Sequence, residues 1–347
     1  MINKELLKAL KKAGTLSDQV PDLGFCDTGS VAINEVVTGN LNKGIPIGGI
    51  TQIKGESSTA KTIFLTHILR GAQKKGYYAV IDDTENSYSK PLADKLGIDP
   101  KNLIYSSSRC IEDAFELMEN TVKTIREFDA TTPIVYGLDS IAVLPTRKEL
   151  EADDYEQTPM DGAIRAKVTG GCLRKANSLM RKYKVGLVII NQIRSKTGVM
   201  HGSPDTIAAG GRSLEYYLAV DLVLVSNKSA NKSTGDRIIN EYGDTIGITG
   251  TVRNKKNKCG VPFKECPFKL IFDEGLNRYY GAINALRRNG IISVPSQGWF
   301  LVGDTKFQKG KFLDLVEDLS VKDFDIIRDS MGLTLTDRSN LLELGGA

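Results

Sequence analysis

Short, nearly continuous apolar segments rich in valine, isoleucine and leucine recur through the middle of the chain. Apolar runs of this length are typical of strands that are buried on both faces of a sheet. They occupy residues 50–53, 77–82, 133–139, 185–191 and 219–225. Helix-period patterns fill three of the intervals, at residues 61–75, 111–127 and 162–183. Strands that alternate with helices predict an α/β fold with a mostly parallel central sheet flanked by helices.

The pattern changes at both ends of this region. Residues 3–13 predict a short helix, and the Gly, Ser, Asp and Pro residues that follow indicate a linker, so residues 1–26 form a first segment. The α/β core is predicted over residues 27–276. From residue 277 to residue 347 the sequence predicts a helix, a small strand pair and a second helix, which together indicate a small separate α+β domain.

Composition narrows the class of protein only slightly. The chain has 347 residues, of which 41% are hydrophobic and 25% charged, and a formal net charge of +4, which permits a polyanionic partner without requiring one. Five cysteines without a C-x-x-C pair and only two histidines argue against a structural zinc site and favour reduced thiols in the cytoplasm. No signal peptide and no apolar segment long enough to cross a membrane is evident.

The sequence "GESSTAKT" between an apolar strand and a helix has the spacing of a phosphate-binding loop, G-x-x-x-x-G-K-[ST]. In this pattern backbone N–H groups surround the phosphates, Lys61 reaches the β- and γ-phosphates, and the Thr62 hydroxyl binds Mg²⁺. Ala60 stands where the pattern has its second glycine, which is tolerable at negative φ but costly at positive φ. The predicted nucleotide-binding residues are Gly55, Glu56, Ser57, Ser58, Thr59, Ala60, Lys61 and Thr62.

Carboxylates follow two further apolar strands. Asp139 ends the strand at residues 133–139 and is expected to hold Mg²⁺ through water; the alternative is that it only caps the next segment. Asp82, Asp83 and Glu85 follow the strand at residues 77–82. Glu85 is predicted to orient and deprotonate the attacking water, with Asp82 and Asp83 as metal-shell or structural acids.

Three longer stretches resemble the RecA family of recombinases. They are "DTGSVAINEVVTGNLNKGIPIGGITQIKGESS" (27–58), "IINQIRSKTGVMHGSPDTIAAGGRSLEYY" (189–217) and "KNKCGVPFKECPFKLIFDEGLN" (256–277). The resemblance extends from about residue 27 to residue 312. It implies a RecA-type P-loop NTPase core that uses ATP and Mg²⁺, with the chain assembling into a helical filament on DNA.

The resemblance also implies roles for single residues. Gln192 senses the γ-phosphate and passes that state into a DNA-binding loop at residues 193–211, while residues 152–163 form the other such loop. Lys256 and Lys258 reach across to the ATP of the neighbouring subunit, and Tyr216 is a subunit contact. The N-terminal helix docks on the adjacent subunit.

The chain also departs from the bacterial pattern. Besides Ala60, the acidic segment "DDTENSY" is more similar to archaeal and eukaryotic members, and Ser89 and Leu92 replace the adenine-packing Asp and Tyr. The strongly acidic tail of many cellular members is absent from the sequence. A divergent recombinase, such as a phage-encoded one, accounts for this mixture.

Cations near the predicted loops permit DNA binding. Residues 162–184 hold seven cations and no acid; the pattern alone is also typical of a solvated helix face, but beside the loops Arg165 and Lys167 become predicted phosphate contacts. Arg194, Lys196 and Arg212 lie among glycines in a segment suited to wrapping a polyanion. In the C-terminal domain, basic residues near Trp299 offer a surface for duplex DNA, although Trp299 is more typical of that domain's core.

These observations predict a DNA-dependent ATPase that forms filaments on single-stranded DNA, pairs it with homologous duplex DNA and exchanges strands in recombination and repair. Single-strand-binding or mediator proteins are further expected partners. Two alternatives stay open. One is a hexameric helicase or translocase on the same core, and the other is a non-hydrolysing, nucleotide-gated protein that coats DNA.

Overall fold

A computed structural model describes residues 22–57, 59–152, 159–195, 206–208, 211–226, 237–296, 299–302 and 305–308, together with residues 5, 8 and 12. The helices are α1 (Val31–Thr38), α2 (Lys61–Lys74), α3 (Lys90–Lys95), α4 (Ile111–Phe128), α5 (Arg147–Glu151), α6 (Pro159–Lys182), α7 (Gly211–Tyr217) and α8 (Ala282–Arg288). Residues 5, 8 and 12 are helical. The rest of the predicted N-terminal helix and linker up to residue 21 lies outside the described residues.

Sixteen strands occur in the described part of the chain. They are β1 (Phe25–Cys26), β2 (Ile45–Pro46), β3 (Ile50–Gly55), β4 (Tyr78–Asp83), β5 (Leu103–Ser106), β6 (Ile134–Asp139), β7 (Val185–Ser195), β8 (Thr206–Ala208), β9 (Leu218–Ser226), β10 (Arg237–Ile239), β11 (Thr245–Asn257), β12 (Glu265–Ile271), β13 (Gly275–Leu276), β14 (Ser293–Ser296), β15 (Trp299–Val302) and β16 (Thr305–Gln308). The five apolar segments of the sequence correspond to β3, β4, β6, β7 and β9.

The large sheet has the strand order β13-β12-β11-β9-β3-β7-β6-β4-β5. Its six strands from β9 to β5 run parallel to one another, whereas β11, β12 and β13 extend one edge in antiparallel pairs. The predicted α/β class with a mostly parallel sheet is therefore confirmed. Because the parallel strands all end at the same edge, the residues that follow β3, β4, β6 and β7 are brought together there.

Helices cover both faces of this sheet. On one face, α1 and α2 bury apolar side chains such as Ile33, Val36 and Leu65 against Ile53 and Val188 of the strands. On the other face, α4, α6 and α7 contribute the buried residues Phe115, Met118, Leu173, Met180 and Leu214. None of the helices in the described ranges is both long and apolar enough to cross a bilayer.

His67 connects α2 to β13 as a buried packing residue. It is 3% exposed, and its Nε2 accepts a hydrogen bond of 2.8 Å from the Leu276 amide. Burial lowers the pKa of His67 to about 4, so the ring is neutral at pH 7 and can accept this bond. A Cβ on Gly275 would lie 2.2 Å from the ring, and Gly275 has φ +87°, so only glycine fits beside the histidine.

Ion pairs connect residues 278–288, which follow the predicted core, to residues near α1. Arg278 Nη1 lies 2.6 Å from Asp27 Oδ2, and Arg288 Nη1 lies 2.7 Å from Glu35 Oε2. Glu35, whose side chain is 2% exposed, also pairs with Lys264 at 2.7 Å. The polypeptide from Arg278 to α8 therefore packs against α1, close to where the sequence predicts the boundary of the C-terminal domain.

The described remainder of that domain is a three-stranded antiparallel sheet, β14-β15-β16, where the sequence predicts a strand pair. Trp299 is 37% exposed, and Lys306 Nζ lies 5.0 Å from the centre of its ring. Trp299 is therefore partly exposed beside a cation, and its assignment to the domain core stays a prediction. Residues 309–347, with the predicted second helix, lie outside the described residues.

Candidate nucleotide-binding and DNA-binding site

The phosphate loop connects β3 directly to α2, which begins at Lys61. The carbonyl of Glu56 accepts hydrogen bonds from Thr59 Oγ1 at 2.9 Å and from Lys61 Nζ at 2.7 Å, which close the loop on itself. A Cβ on Gly55 would lie 2.6 Å from Thr59 Oγ1, so this tight approach requires glycine. The helix N-terminus and the loop amides face the space where an anion binds. Ser58 lies outside the described residues.

Ala60 adopts the conformation that the pattern reserves for glycine. Its φ is 58° and its ψ is 30°, in the left-handed region, immediately before the first residue of α2. An L-residue with a Cβ costs roughly 1–2 kcal/mol in this region because the Cβ crowds the following carbonyl. The loop thus keeps the glycine geometry at the expense of local backbone strain.

Replacement of Ala60 by glycine is expected to stabilise the free protein. Relief of the strain is partly offset by the greater freedom of glycine in the unfolded chain, which leaves a net gain of roughly 0.5–1 kcal/mol. Urea unfolding without nucleotide measures the change. As a control, Ala72→Gly in the interior of α2 should destabilise by about 1 kcal/mol or more. A loss of stability in Ala60→Gly would contradict the strain argument.

Lys61 places a poorly solvated cation in the loop. The residue is 8% exposed, and burial lowers the pKa of its ammonium group, while Asp139 and Glu85 act in the opposite direction. A buried cation facing two acids is well placed to exchange its carbonyl partner for phosphate oxygens.

Thr62 and Asp139 form the predicted metal position. Thr62 Oγ1 donates to Asp139 Oδ2 over 2.6 Å, so the first turn of α2 meets the end of β6. Burial, followed by Glu85 and Asp83, raises the pKa of Asp139 to about 6, although the Thr62 hydrogen bond lowers it. A divalent cation at these oxygens would offset the cost of the buried charge, and Mg²⁺ prefers such hard oxygen ligands.

No group of three or more His, Cys, Asp or Glu side chains suited to a metal ion occurs among the described residues. A magnesium ion at Thr62 and Asp139 would accordingly complete its coordination with phosphate oxygens and water, as Mg²⁺ bound with a nucleotide commonly does. The two residues fit Mg²⁺ that arrives with ATP.

The three acids after β4 have different surroundings. Asp82 accepts hydrogen bonds from the Ser108 amide at 2.8 Å and hydroxyl at 2.6 Å, and burial raises its pKa. Asp83 accepts bonds from the amides of Ser87 and Tyr88 and from the Tyr105 hydroxyl. Both carboxylates therefore hold neighbouring segments in place, which is the structural role that the sequence left open for them.

Glu85 faces the ends of two other strands. Its Oε1 accepts from Ser140 Oγ at 2.5 Å and from Gln192 Nε2 at 3.1 Å. Thr84 supports Ser140, since Thr84 Oγ1 accepts from the Ser140 amide and donates to its carbonyl, each at 2.8 Å. These roles of Thr84 and Ser140 depend on how β4 and β6 align, so no sequence pattern predicts them.

Lys256 lies two strands away from the strand of the phosphate loop, and the Lys258 amide donates to the carbonyl of Ala219 in β9. Lys256 of β11 is opposite Asp221 of β9, which is opposite Gln52 of β3. The backbone of Lys256 is therefore about 10 Å from β3 across the sheet, a separation of two strands. Along the strand it is level with Gln52, which lies a further ~10 Å before Gly55. Its ammonium group donates to the carbonyls of Glu215 and Tyr216 in α7, and burial and Lys258 lower its pKa.

The predicted DNA contacts are only partly described. Arg165 donates to the carbonyl of Ala142 at 2.8 Å and to that of Leu144, so its guanidinium also anchors α6, whereas Lys167 is exposed. The base of the second DNA loop is an antiparallel ladder in which Ser195 pairs with Thr206. Lys196, the side chains of Arg194 and Arg212, and residues 153–158 of the first loop lie outside the described set.

Ser89 has a local structural role where the family has an adenine contact. Its side chain caps α3 by accepting a hydrogen bond of 3.4 Å from the Leu92 amide. Serine is a favoured N-cap residue because its oxygen satisfies a free helix amide.

Comparison with known proteins identifies the family of this chain. The family model described as the RecA N-terminal domain matches residues 5–277. Protein RecA of Aquifex aeolicus (strain VF5) is 34% identical over 284 residues, covering 82% of this chain and 76% of that protein. Protein RecA of Aquifex pyrophilus is 32% identical over 322 residues, covering 90% and 85%, and that of Delftia acidovorans is 30% identical over 353 residues, covering 96% and 90%. The chain therefore belongs to the RecA family of recombinases, the DNA-dependent ATPases of recombination and repair.

Proposed function

We propose that this chain forms helical filaments on single-stranded DNA, binds ATP between adjacent subunits, and pairs the coated strand with homologous duplex DNA for strand exchange. The observation that supports this best is the hydrogen bond of 3.1 Å between Gln192 and Glu85. It joins the predicted catalytic acid to the residue that precedes the predicted DNA loop. Nucleotide chemistry and DNA binding therefore share one contact.

The phosphate side of the site is supplied by Gly55–Thr62. Backbone amides of the loop and Lys61 bind the β- and γ-phosphates. Thr62 with Asp139 would hold Mg²⁺, which would supply positive charge to the transferred phosphoryl group. Glu85 takes the proton of the attacking water, while Ser140 holds one of its oxygens and leaves the other to contact water.

Gln192 couples the nucleotide to DNA. When ATP is bound, the Gln192 amide can donate to the γ-phosphate instead of to Glu85. This change passes along β7 to Ile193, which pairs with Ala208 at the far end of the predicted DNA-binding loop. Binding at one site then favours binding at the other, as linkage requires.

Lys256 and Lys258 complete the site from the neighbouring subunit. The strand that holds Lys256 is two strands from the strand of the phosphate loop in its own subunit, which favours a contact across the junction. Tyr216, whose carbonyl accepts from Lys256, is 75% exposed and is the expected subunit contact. The Lys256 ammonium group exchanges its carbonyl partners in α7 for the phosphates across the junction. The N-terminal helix docks on the adjacent subunit.

DNA binding relies on backbone contacts. Arg165, Lys167, Arg194, Lys196 and Arg212 contact phosphates, so binding is almost independent of sequence and its log affinity falls by roughly 0.7 per single-strand phosphate neutralised as log salt rises. Duplex DNA contacts the C-terminal domain near Lys306 and Trp299. We place the protein in the cytoplasm, with single-strand-binding or mediator proteins as further partners.

A joint assay of ATP hydrolysis and strand exchange tests this function. We expect single-stranded DNA to stimulate phosphate release, high salt to abolish the stimulation, and Lys61→Ala to abolish hydrolysis. Electron microscopy with DNA should show long helical filaments. Closed rings with ATP-driven unwinding would identify a helicase instead. Phosphate release that stays at background, with neither stimulation by DNA nor a loss in Lys61→Ala, would favour the non-hydrolysing DNA-coating alternative.

A further inference from the structure

A buried ion pair connects the strand of the phosphate loop to the strand that follows α7. Lys54 Nζ lies 2.6 Å from Asp221 Oδ2, and the two side chains are 8% and 6% exposed. Lys54 immediately precedes Gly55, while β9, which holds Asp221, begins directly after α7. Neither residue belongs to the nucleotide or DNA contacts described above.

Next to this pair lie buried polar atoms without hydrogen-bond partners. Among the described residues, Asp221 Oδ1 and both amide atoms of Gln52 have none. Gln52 is the register partner of Asp221 in the β3–β9 ladder, and adjacent strands are ~4.8 Å apart. A buried amide without a partner reduces stability, yet a rotation of the Gln52 side chain would bring Nε2 to the free oxygen of Asp221.

A hydrogen bond between these unpaired atoms would define a second arrangement of Gln52. In the arrangement seen, Asp221 holds only Lys54 and the Gln52 amide is unpaired; in the other, the amide donates to Asp221 Oδ1 and completes the cluster. An element with two discrete arrangements is what energetic coupling between distant sites requires.

The cluster lies where α7 can select between these arrangements. Lys256 is opposite Asp221 across the β9–β11 ladder, and its ammonium group donates to the carbonyls of Glu215 and Tyr216 in α7. Asp221 also attracts this ammonium group. If Lys256 exchanged these carbonyls for a neighbouring nucleotide, α7 would lose this contact and the positive charge near Asp221 would move away.

We propose that Gln52, Lys54 and Asp221 form a polar latch that positions the phosphate loop. The latch is open in the free subunit. In the filament, Gln52 closes on Asp221, β3 is fixed to β9, and Gly55 is held in the arrangement that hydrolyses ATP. These are positioning residues that do not touch ATP, and the inference rests on the proposed function.

Gln52→Met tests the latch because methionine has a similar shape but cannot donate to Asp221. We expect the variant to unfold at a higher urea concentration than the wild type, because an unpaired buried amide is removed. Its KM for ATP and its rate without DNA should stay within about twofold of the wild type, while stimulation by single-stranded DNA falls at least about fivefold.

Thr51→Val is the matched control. Thr51 precedes Gln52 on the same strand, is 0% exposed and also has an unpaired oxygen, but successive side chains of a strand point to opposite faces. Thr51→Val should therefore raise the urea midpoint and keep full DNA stimulation.

Full stimulation of ATP hydrolysis by DNA in Gln52→Met would overturn the latch. An equal loss of the ATP hydrolysis rates with and without DNA would also overturn it, because such a loss would indicate a purely structural role for Gln52. If the wild type itself shows no stimulation, the proposed function fails and the latch fails with it. Stimulation in the wild type that Gln52→Met retains would reject the latch alone.

Discussion

Glu85→Gln is expected to lower kcat for DNA-stimulated ATP hydrolysis by about 10²–10⁴-fold, the usual contribution of a general base. Glutamine keeps the shape of the side chain and an oxygen that accepts from Ser140, so the strand ends stay aligned. The KM for ATP should change by no more than about threefold, because Glu85 contributes to the transition state and not to phosphate binding. Steady-state hydrolysis and binding of a fluorescent ATP analogue measure the two quantities.

Filaments of this variant should also persist longer on DNA, because hydrolysis is what loosens them. Asp83→Asn is the control: Asp83 lies two residues away, but its oxygens accept from Ser87, Tyr88 and Tyr105. Asp83→Asn should lower the stability of the fold and should alter kcat far less than Glu85→Gln does. A similar loss of kcat in both variants would show that the segment after β4 acts only as a scaffold.

The strands at the centre of the fold are predictable because they are buried on both faces. All six residues of β6 are buried, and its first five form an apolar run that ends at Asp139. All six residues of β3 are buried as well, although Thr51, Gln52 and Lys54 interrupt its apolar pattern. By contrast, β12 alternates between buried and less buried positions and contains Glu265, Pro267 and Lys269, so it lacks a continuous apolar segment. The edge strand β5 exposes Ile104 and Tyr105, so burial does not constrain its sequence.

Helix α1 shows a different limit. Its sequence VAINEVVT is rich in β-branched residues, which favour strands by propensity. The helix is stabilised by packing of Ile33 and Val36 in the core, by a Ser30 side chain that accepts from the Ile33 amide, and by Gly39 in the left-handed region at its end. Tertiary contacts thus outweigh local preference.

In the functional site too, some features are predictable from the sequence and others depend on tertiary contacts. Glu85, Asp139 and Gln192 meet at one edge of the sheet, because β4, β6 and β7 are neighbouring parallel strands that end there. The sequence does not fix the sign of φ at Ala60, nor the pairing of Lys54 with Asp221, which depends on a register shift between β3 and β9 at Ile50/Thr51. Contacts that depend on such registers require the structure.

The double variant Lys256→Met, Lys258→Met is expected to lose about 10³-fold in DNA-stimulated kcat, the lower end of what a cation supplied by a neighbouring molecule contributes to phosphoryl transfer. The loss should appear in kcat rather than in DNA-free binding of ATP, because the lysines act only across a subunit junction. Lys255→Met, which removes the exposed lysine immediately before Lys256, is the control and should hydrolyse ATP like the wild type.

Mixing two inactive proteins tests whether the lysines act on the neighbour. In filaments assembled from equal amounts of the double lysine variant and Glu85→Gln, about one junction in four joins an intact Glu85 to intact lysines. Hydrolysis should therefore recover to about a quarter of the wild-type rate. A mixture of Glu85→Gln with Lys61→Ala should recover nothing, since both changes damage the same side of the junction. If the first mixture stays as inactive as its components, the lysines serve their own subunit and the shared site is rejected.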